Sequence, residues 1–310
     1  MSNDKLIYVI GSSNTDMVVK SEKLPAPGET VIGGEFLMNP GGKGANQAVA
    51  AARLGGNVYF VGKTGNDLFG KQAVQQFKRE NILTDYVATD PRLPSGVALI
   101  NVDGRGENSI SVAPGANAAL TKADTDRALT HLKPDDLVLV QLEIPVDVVA
   151  HVIHESARKG ARVILNPAPA QELSRETLSR LYLITPNESE AELLTGIKVS
   201  DPGSAEKAAQ KLRDAGCDHV IITLGSKGAY LSSGRISAMI PAVPVTAVDT
   251  TAAGDCFNGA VAVALSENKD IRATVEFACK AAAISVTRMG AQSSLPTRRE
   301  LEGILLAKGR

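Results

Sequence analysis

Two aspartates, Asp249 and Asp255, bracket the run Thr-Thr-Ala-Ala-Gly in VDTTAAGDCFNGA, residues 248–260. The apolar stretch PAVPVTAV precedes the run and GAVAVAL follows it, which predicts a strand ending near Val248 and a helix opening near Ala252. A helix start leaves main-chain N–H groups unpaired. Ala252, Ala253 and Gly254 carry almost no side chain, so an anion could approach those N–H groups closely, helped by the helix dipole. Asp255 falls in the first turn of that helix, beside the anion. A carboxylate there repels a phosphate, which makes little sense for binding alone. It makes sense if the carboxylate takes a proton from a hydroxyl that attacks the phosphate. The bland alternative is that Asp255 and Asp249 only favour or cap a helix N-terminus. Spacing alone does not separate the two.

Three other stretches could carry chemistry. In NPGGKGANQAVAAARLG (39–55), Gly41 and Gly42 make a flexible joint, and Lys43 and Asn46 lie near a helix start, able to donate to hydroxyls or phosphate oxygens. The third glycine of a dinucleotide-binding fingerprint is missing. In ITPNESEAELLTG (184–196), Asn187 and Glu190 stand at capping-box spacing; the functional alternative puts both near a hydrated Mg²⁺ and its phosphates. In ITLGSKGAYL (222–231), Thr223, Gly225, Ser226 and Gly228 form a strand-end turn whose amides suit a nucleotide, or an ordinary β-turn between two strands. The GKT at 62–64 is no P-loop, because Asn57 stands where the first glycine is required. His151 and His154 lack companions at metal-ligand spacing and read as a surface helix.

These residues need a scaffold. Apolar runs at 6–11, 58–62, 137–141, 162–166, 182–185 and 219–223 read as buried strands, and amphipathic segments at 43–54, 67–80, 145–159, 187–195 and 203–216 as helices. Such alternation implies a mostly parallel sheet with helices on both faces, an α/β fold. Two small-residue helices follow at 252–267 and 271–288, and another closes the chain near 297–308. Residues 12–39 and 95–112 break the alternation. They supply about four short strands, read as a small antiparallel sheet acting as a lid or oligomer contact, or else as edge hairpins of the main sheet. The whole chain, 1–310, reads as a single α/β domain with these lid segments inserted. Net charge is −1, which argues against nucleic-acid or anionic-membrane partners. The apolar run near the N-terminus is too short for a signal segment, and no stretch reaches the roughly 18 apolar residues of a spanning helix. Cys217, Cys256 and Cys279 lack CxxC spacing and read as free thiols in a reducing cytoplasm.

Together the motifs resemble the ribokinase family of sugar kinases, a group that includes fructokinase and adenosine kinase. The resemblance covers essentially the whole chain. It is carried by GSSNTD (11–16), PGGKGANQAVAAARLG (40–55), QLE (141–143), LNPAPA (165–170), TPNESEAELLTG, ITLGSKG (222–228), VDTTAAGDCFNGA and VTRMGAQSS (286–294). It implies a parallel-sheet domain with a β-lid that pairs in a homodimer. It further implies that Asp255 is the base, with Ala252, Ala253 and Gly254 holding the transferring phosphoryl group. Asn14, Asp16, Gly42, Lys43, Asn46, Glu143 and Asp255 would bind the sugar. Asn187, Thr223, Gly225, Ser226, Gly228, Gly254 and Cys279 would contact ATP, with Asn187 and Glu190 near Mg²⁺ through water. Asp249, Thr251, Ser285, Arg288, Gly290 and Ser294 would form a K⁺ loop, several through main-chain carbonyls. Cys279 stands where the family often has His or Asn, and Cys256 where Thr, Ala or Ser is usual. The implied reaction is MgATP-dependent, K⁺-activated phosphorylation of D-ribose at its 5-hydroxyl. A 2-deoxyribose kinase, or another sugar kinase of the group, shares nearly every motif. A non-catalytic sugar sensor would not need Asp255.

Overall fold

The computed structural model describes residues 5–234 and 236–307. The extreme ends of the expected 1–310 domain, and position 308 of its closing helix, lie outside the described residues. In chain order the strands are β1 (Leu6–Ile10), β2 (Asn14–Lys20), β3 (Glu35–Gly41), β4 (Asn57–Gly65), β5 (Leu83–Asp90), β6 (Gly96–Val102), β7 (Asn108–Ala113), β8 (Leu137–Val140), β9 (Arg162–Leu165), β10 (Leu183–Ile184), β11 (His219–Thr223), β12 (Ala229–Ser233) and β13 (Ile236–Ile240). The helices are α1 (Lys43–Arg53), α2 (Leu68–Arg79), α3 (Lys122–Leu129), α4 (Val146–Arg158), α5 (Arg175–Leu178), α6 (Glu188–Thr195), α7 (Pro202–Asp214), α8 (Ala253–Ser266), α9 (Ile271–Ser285) and α10 (Arg298–Ala307).

Nine strands form one sheet in the order β13-β12-β11-β10-β9-β8-β1-β4-β5. Neighbours from β11 through β5 run parallel, and only β12 and β13 are antiparallel additions at one edge. Alternate residues of a strand face opposite layers, as the pleat requires. Ile7, Val9, Leu137 and Leu139 pack in one core with α1, α8 and α9. Tyr8, Ile10, Val138 and Val140 pack in the other with α3, α4 and α7. Covered on both faces, these strands are continuously apolar, which is why they were legible as short runs.

The second sheet has the order β3-β2-β6-β7 and stands apart from the main one, so it is not a pair of edge hairpins. It corrects one expectation. The sheet is mixed, because β2 and β6 pair in parallel, Asn14 opposite Gly96. The reason lies in the parent sheet. β2 follows β1 and β6 follows β5, and β1 and β5 run in the same direction, so both extensions leave its carboxyl edge side by side. One face of the small sheet leaves Phe36 and Leu99 more than half exposed, and the opposite face does the same for Ile110 and Val112.

A second correction concerns the lead-in to the Asp249–Asp255 run. No strand ends at Val248; after β13 the chain passes through 241–252 without one. Pro241 and Pro244 remove ladder donors there. Val248 and Asp249 instead donate their N–H groups to the Val286 carbonyl, at 2.7 and 3.2 Å.

Small residues let α8 approach α1. A Cβ on Gly259 would stand 2.6 Å from Ala50 Cβ and 2.8 Å from the Gln47 carbonyl. Likewise a Cβ on Gly44 would fall 2.7 Å from the Gly11 backbone. These close contacts set the distance between the two helix starts that carry the polar side chains.

Candidate active site

Asp255 lies in the first turn of α8 and is 7% exposed. Its Oδ2 accepts a hydrogen bond from Asn46 Nδ2 (2.9 Å) and its Oδ1 from Gln47 Nε2 (3.0 Å), both side chains coming from α1. Burial raises its pKa above the ordinary carboxylate value; the Lys43 charge and the two amide bonds oppose the rise, and Glu143 adds to it. Just before it, Ala252 caps the helix in the left-handed region, φ 58°. Ala253 N–H turns back to the Thr250 carbonyl at 3.2 Å, so it is partly engaged. Gly254 is exposed, and a Cβ there would have open space around it.

Around this carboxylate the structure gathers the other residues expected to touch a sugar. Gly42 caps α1 at φ 87°, where a Cβ would press within 2.8 Å of Asn14 N. Glu143 Oε2 accepts from Ser12 Oγ (2.5 Å) and from Lys43 N–H (3.0 Å). Asn14 Oδ1 accepts from Asn117 Nδ2 at 2.8 Å. The Asp16 carboxyl packs against Gly41, where any Cβ would overlap it. Burial, and then the charges of Glu143 and Asp255, push the Asp16 pKa up to about 6. Asn46 Oδ1 is buried with no hydrogen-bond partner among the described residues, an acceptor left unsatisfied beside the Asp255 carboxylate.

The nucleotide-side residues fall in two places. Asn187 and Glu190 do form the capping box: Glu190 N–H to Asn187 Oδ1 at 2.8 Å, Asn187 N–H to Glu190 Oε2 at 2.9 Å. Glu190 is also buried enough to raise its pKa, against the pull of the Asn187 N–H and of Lys43, with Asp255 repelling. The bland and the functional readings of this motif therefore coexist in one place. The loop from Gly225 to Lys227 is a single 3₁₀ turn between antiparallel β11 and β12, with Gly225 and Ser226 exposed. Gly228 is not an exposed amide as expected; it is buried, and its N–H donates to the Gly225 carbonyl at 3.1 Å. Thr223 N–H bonds the Pro186 carbonyl at 2.9 Å, joining this turn to the start of α6. Cys279 is buried on α9, which packs on β12 and β13, and burial pushes its thiol up to about 11.

Asp249 organises the last group. Its Oδ1 accepts from Thr251 N–H (2.9 Å) and its Oδ2 from Gly290 N–H (2.8 Å). Ser285 and Ser294 turn their hydroxyls to the carbonyls of Ala282 and Ala291. Arg288 points its guanidinium at Glu300, 2.6 Å away, so only its main chain is free to face the loop. Among the described residues no cluster of three or more His, Cys, Asp or Glu side chains could hold a metal. His151 and His154 are taken by Asp126 and Glu155. Cys217, Cys256 and Cys279 are free and buried, and the Cys256 thiol is pushed up to about 12, far from a reactive thiolate. No described helix is long and apolar enough to cross a membrane.

Several contributors went unseen in the sequence. Gln47, Gln141, Asn117, Asn166 and Arg53 are buried or half-buried polar residues wired into the site. Arg53, in the last turn of α1, donates to the Gln292 and Leu295 carbonyls (2.6 and 3.0 Å) and so ties α1 to the loop that bonds Asp249. The signal available was a polar pair, Asn46-Gln47, inside an otherwise alanine-rich buried helix.

Residues 4–298 match the model of the pfkB family carbohydrate kinases. The chain belongs to that family. A ribokinase of Haemophilus influenzae is 46% identical over 296 residues, covering 96% of this chain and 97% of its own. A deoxyribokinase of Salmonella typhi is 40% identical, covering 94% of this chain and 95% of its own. The structure of an Arabidopsis thaliana ribokinase complexed with ribose and ATP superposes with a TM-score of 0.89 at 33% identity, covering 97% of this chain and 98% of that one. As a pfkB-family kinase the chain is a phosphotransferase, and the small sheet beside the parallel one is part of the fold it shares with these relatives.

Proposed function

We propose that this kinase transfers the γ-phosphoryl group of ATP to the 5-hydroxyl of D-ribose, giving ribose 5-phosphate and ADP. The observation that carries the reading is the placement of Asp255. A buried carboxylate of raised pKa, held by two amides, stands at the open N-terminus of α8, among Lys43, Glu143 and Asp16.

Asn14, Asp16, Gly42, Lys43, Asn46 and Glu143 would orient the sugar so that one hydroxyl reaches Asp255. Fixing that geometry supplies much of the rate. Asp255 would accept the hydroxyl proton as the oxygen attacks. The N–H groups at Ala252–Gly254 would meet charge on the transferring group, Gly254 most openly. Asn187, Thr223, Gly225, Ser226, Gly228 and Cys279 would line the nucleotide side. The four-stranded sheet would act as a lid that keeps water from ATP, and one of its exposed apolar faces would pair with a second copy.

The donor sets fit the implied ions. Asn187 and Glu190 are committed to each other, so they would hold Mg²⁺ only through its waters, in keeping with the ion's reluctance to dehydrate. Bound with ATP, Mg²⁺ would neutralise phosphate charge. The Asp249 carboxylate keeps lone pairs beyond its two N–H donors, the hard-oxygen chemistry that K⁺ takes. Thr251, Ser285, Arg288, Gly290 and Ser294 would complete that loop.

The test is ADP release from MgATP with ribose and 2-deoxyribose side by side in KCl. A clear preference for ribose is expected. A preference for 2-deoxyribose keeps the mechanism and changes the substrate, and no turnover with either overturns the assignment.

A further inference from the structure

Below Asp255 lies a closed hydrogen-bond circuit. Gln47 Nε2 donates to Asp255 Oδ1 (3.0 Å) and to Asn166 Oδ1 (2.9 Å). Asn166 Nδ2 donates to the Thr185 carbonyl (3.4 Å), and Thr185 Oγ1 donates to Asn258 Oδ1 (2.6 Å). Asn258 Nδ2 donates to the Gly254 carbonyl (2.9 Å), one peptide before Asp255. On its other side Gln47 Oε1 accepts from Gln141 Nε2 (2.6 Å). Every side chain in it is buried, Gln47 and Gln141 completely.

The direction of this circuit is not free. Two main-chain carbonyls, Thr185 and Gly254, accept at fixed points, so the Asn166 and Asn258 amides must turn their NH₂ groups toward them. That leaves the Asn166 oxygen facing Gln47, which must answer with its own NH₂. The same NH₂ then meets Asp255. A reversed Gln47 amide would set its oxygen against both the Asp255 and the Asn166 oxygens, in a buried site where that repulsion is strong. Gln141 closes the remaining choice by donating to Gln47 Oε1. Gly11 leaves room for Gln141, since any Cβ there would overlap Gln141 Oε1.

We propose that Gln47 is a positioning residue for the base: its amide, locked by Asn166 and Gln141, holds the Asp255 carboxylate in place and favours its ionised form. The proposal rests on the reading of Asp255 as the base. Asn46 grips the other oxygen, but its own Oδ1 has no partner among the described residues, so its amide is not locked as that of Gln47 is. The charged groups facing Asp255 are Lys43 on α1, Glu143 after β8, Asp16 on β2 and Glu190 on α6, with the Cys256 thiol beside it. Among the described residues Lys43 is the one charge that favours the carboxylate, against three acids. A neutral donor locked beneath the carboxylate counters them without adding a charge that would hold the transferred phosphate.

The experiment is the pH profile of kcat/KM for sugar phosphorylation by the full-length enzyme and three variants. Losing a hydrogen bond to an ionised group should move the acid limb of Gln47→Leu upward by about one pH unit. KM for sugar and for ATP should stay within about twofold, because Gln47 would touch neither, and the rate should recover toward wild type at high pH. Gln141→Leu frees the Gln47 amide and should move the limb the same way by less, which keeps the test available if Gln47→Leu does not fold. A lowered rate at every pH with the limb unmoved, in whichever variant folds, would overturn the proposal. Asp255→Asn separates the two readings. If that variant keeps the acid limb, Asp255 is not the base; if it loses turnover while Gln47→Leu keeps the wild-type limb, only the positioning role fails.

Discussion

Asp249 and Asp255 are the same residue type at the two ends of one short run, yet their surroundings drive them in opposite directions. At Asp249 burial works against ionisation, but hydrogen bonding by the Thr251 side chain and by the Gly290 and Thr251 N–H groups, with the Lys20 charge, outweighs it, and its pKa falls. At Asp255 burial dominates Lys43, Asn46 and Gln47, and the pKa rises. Asp249 lies in a loop that bends its own amides around it. Asp255 lies in a helix pressed against another helix by Gly259. The lesson is that a carboxylate suited to holding a cation and one suited to taking a proton differ in what backs them, not in what they are.

The largest test of that contrast is Asp255→Asn. It should lower kcat by about 10²-fold or more, as loss of a general base does, with sugar affinity by calorimetry nearly kept. Wild-type kcat in this variant would erase the distinction. Asp249→Asn should act on the other arm. K⁺ stimulation of the rate, about tenfold over Na⁺ for a typical ligand coupling, should vanish while the residual rate keeps its pH profile. A variant still stimulated by K⁺ would remove the cation role.

Stability against pH sharpens the comparison further. Asp16 belongs with Asp255, its folded pKa raised to about 6 from 3.8. Between those values the folded state binds the proton more tightly than the unfolded state, so stability falls as pH rises through the window and stays reduced above it. Asp16→Asn should therefore be more stable than wild type at pH 7.5 by on the order of 1 kcal/mol, with the gain gone near pH 4 and sugar binding weakened. Asp249 has the opposite sign. Its depressed folded pKa contributes stability at neutral pH that is lost as pH falls through that value, so Asp249→Asn should lose Tm at pH 7 and converge on wild type in acid. Thermal melts at several pH values check both, and parallel behaviour of the two variants would break the contrast. The last test is at the turn between Asp249 and Asp255. Ala252 holds φ 58°, and Ala252→Gly should raise stability by up to about 1 kcal/mol, whereas Ala252→Val should lower it by about 1–2 kcal/mol.

Much of the scaffold was readable because the cause was local. Strands buried on both faces show as apolar runs, and the capping box at Asn187 and Glu190 is written in four consecutive residues. Elements whose signal depends on a neighbour were missed or misread. β5, which carries LTDYVATD, and β13 at the far edge lack a clean apolar run. The strand expected before Val248 failed because prolines took its donors. The parallel pairing of β2 with β6 depended on where β1 and β5 end.

The sequence by itself determined the α/β alternation, the two small-residue helix starts and the presence of acids beside them, because composition and short-range spacing act within a turn or a strand. Only the tertiary structure decided which acid would be buried, and which amides would hold it. Gln47, Gln141, Asn166, Thr185 and Asn258 meet across sequence separations that run from 19 residues, Asn166 with Thr185, to 208, Gln47 with Asp255. Hydrogen-bond direction among them is set by two backbone carbonyls whose positions exist only once the sheet and α8 have packed. A side chain's charge state follows from that packing, because desolvation and donor geometry are properties of the folded surroundings and not of the residue.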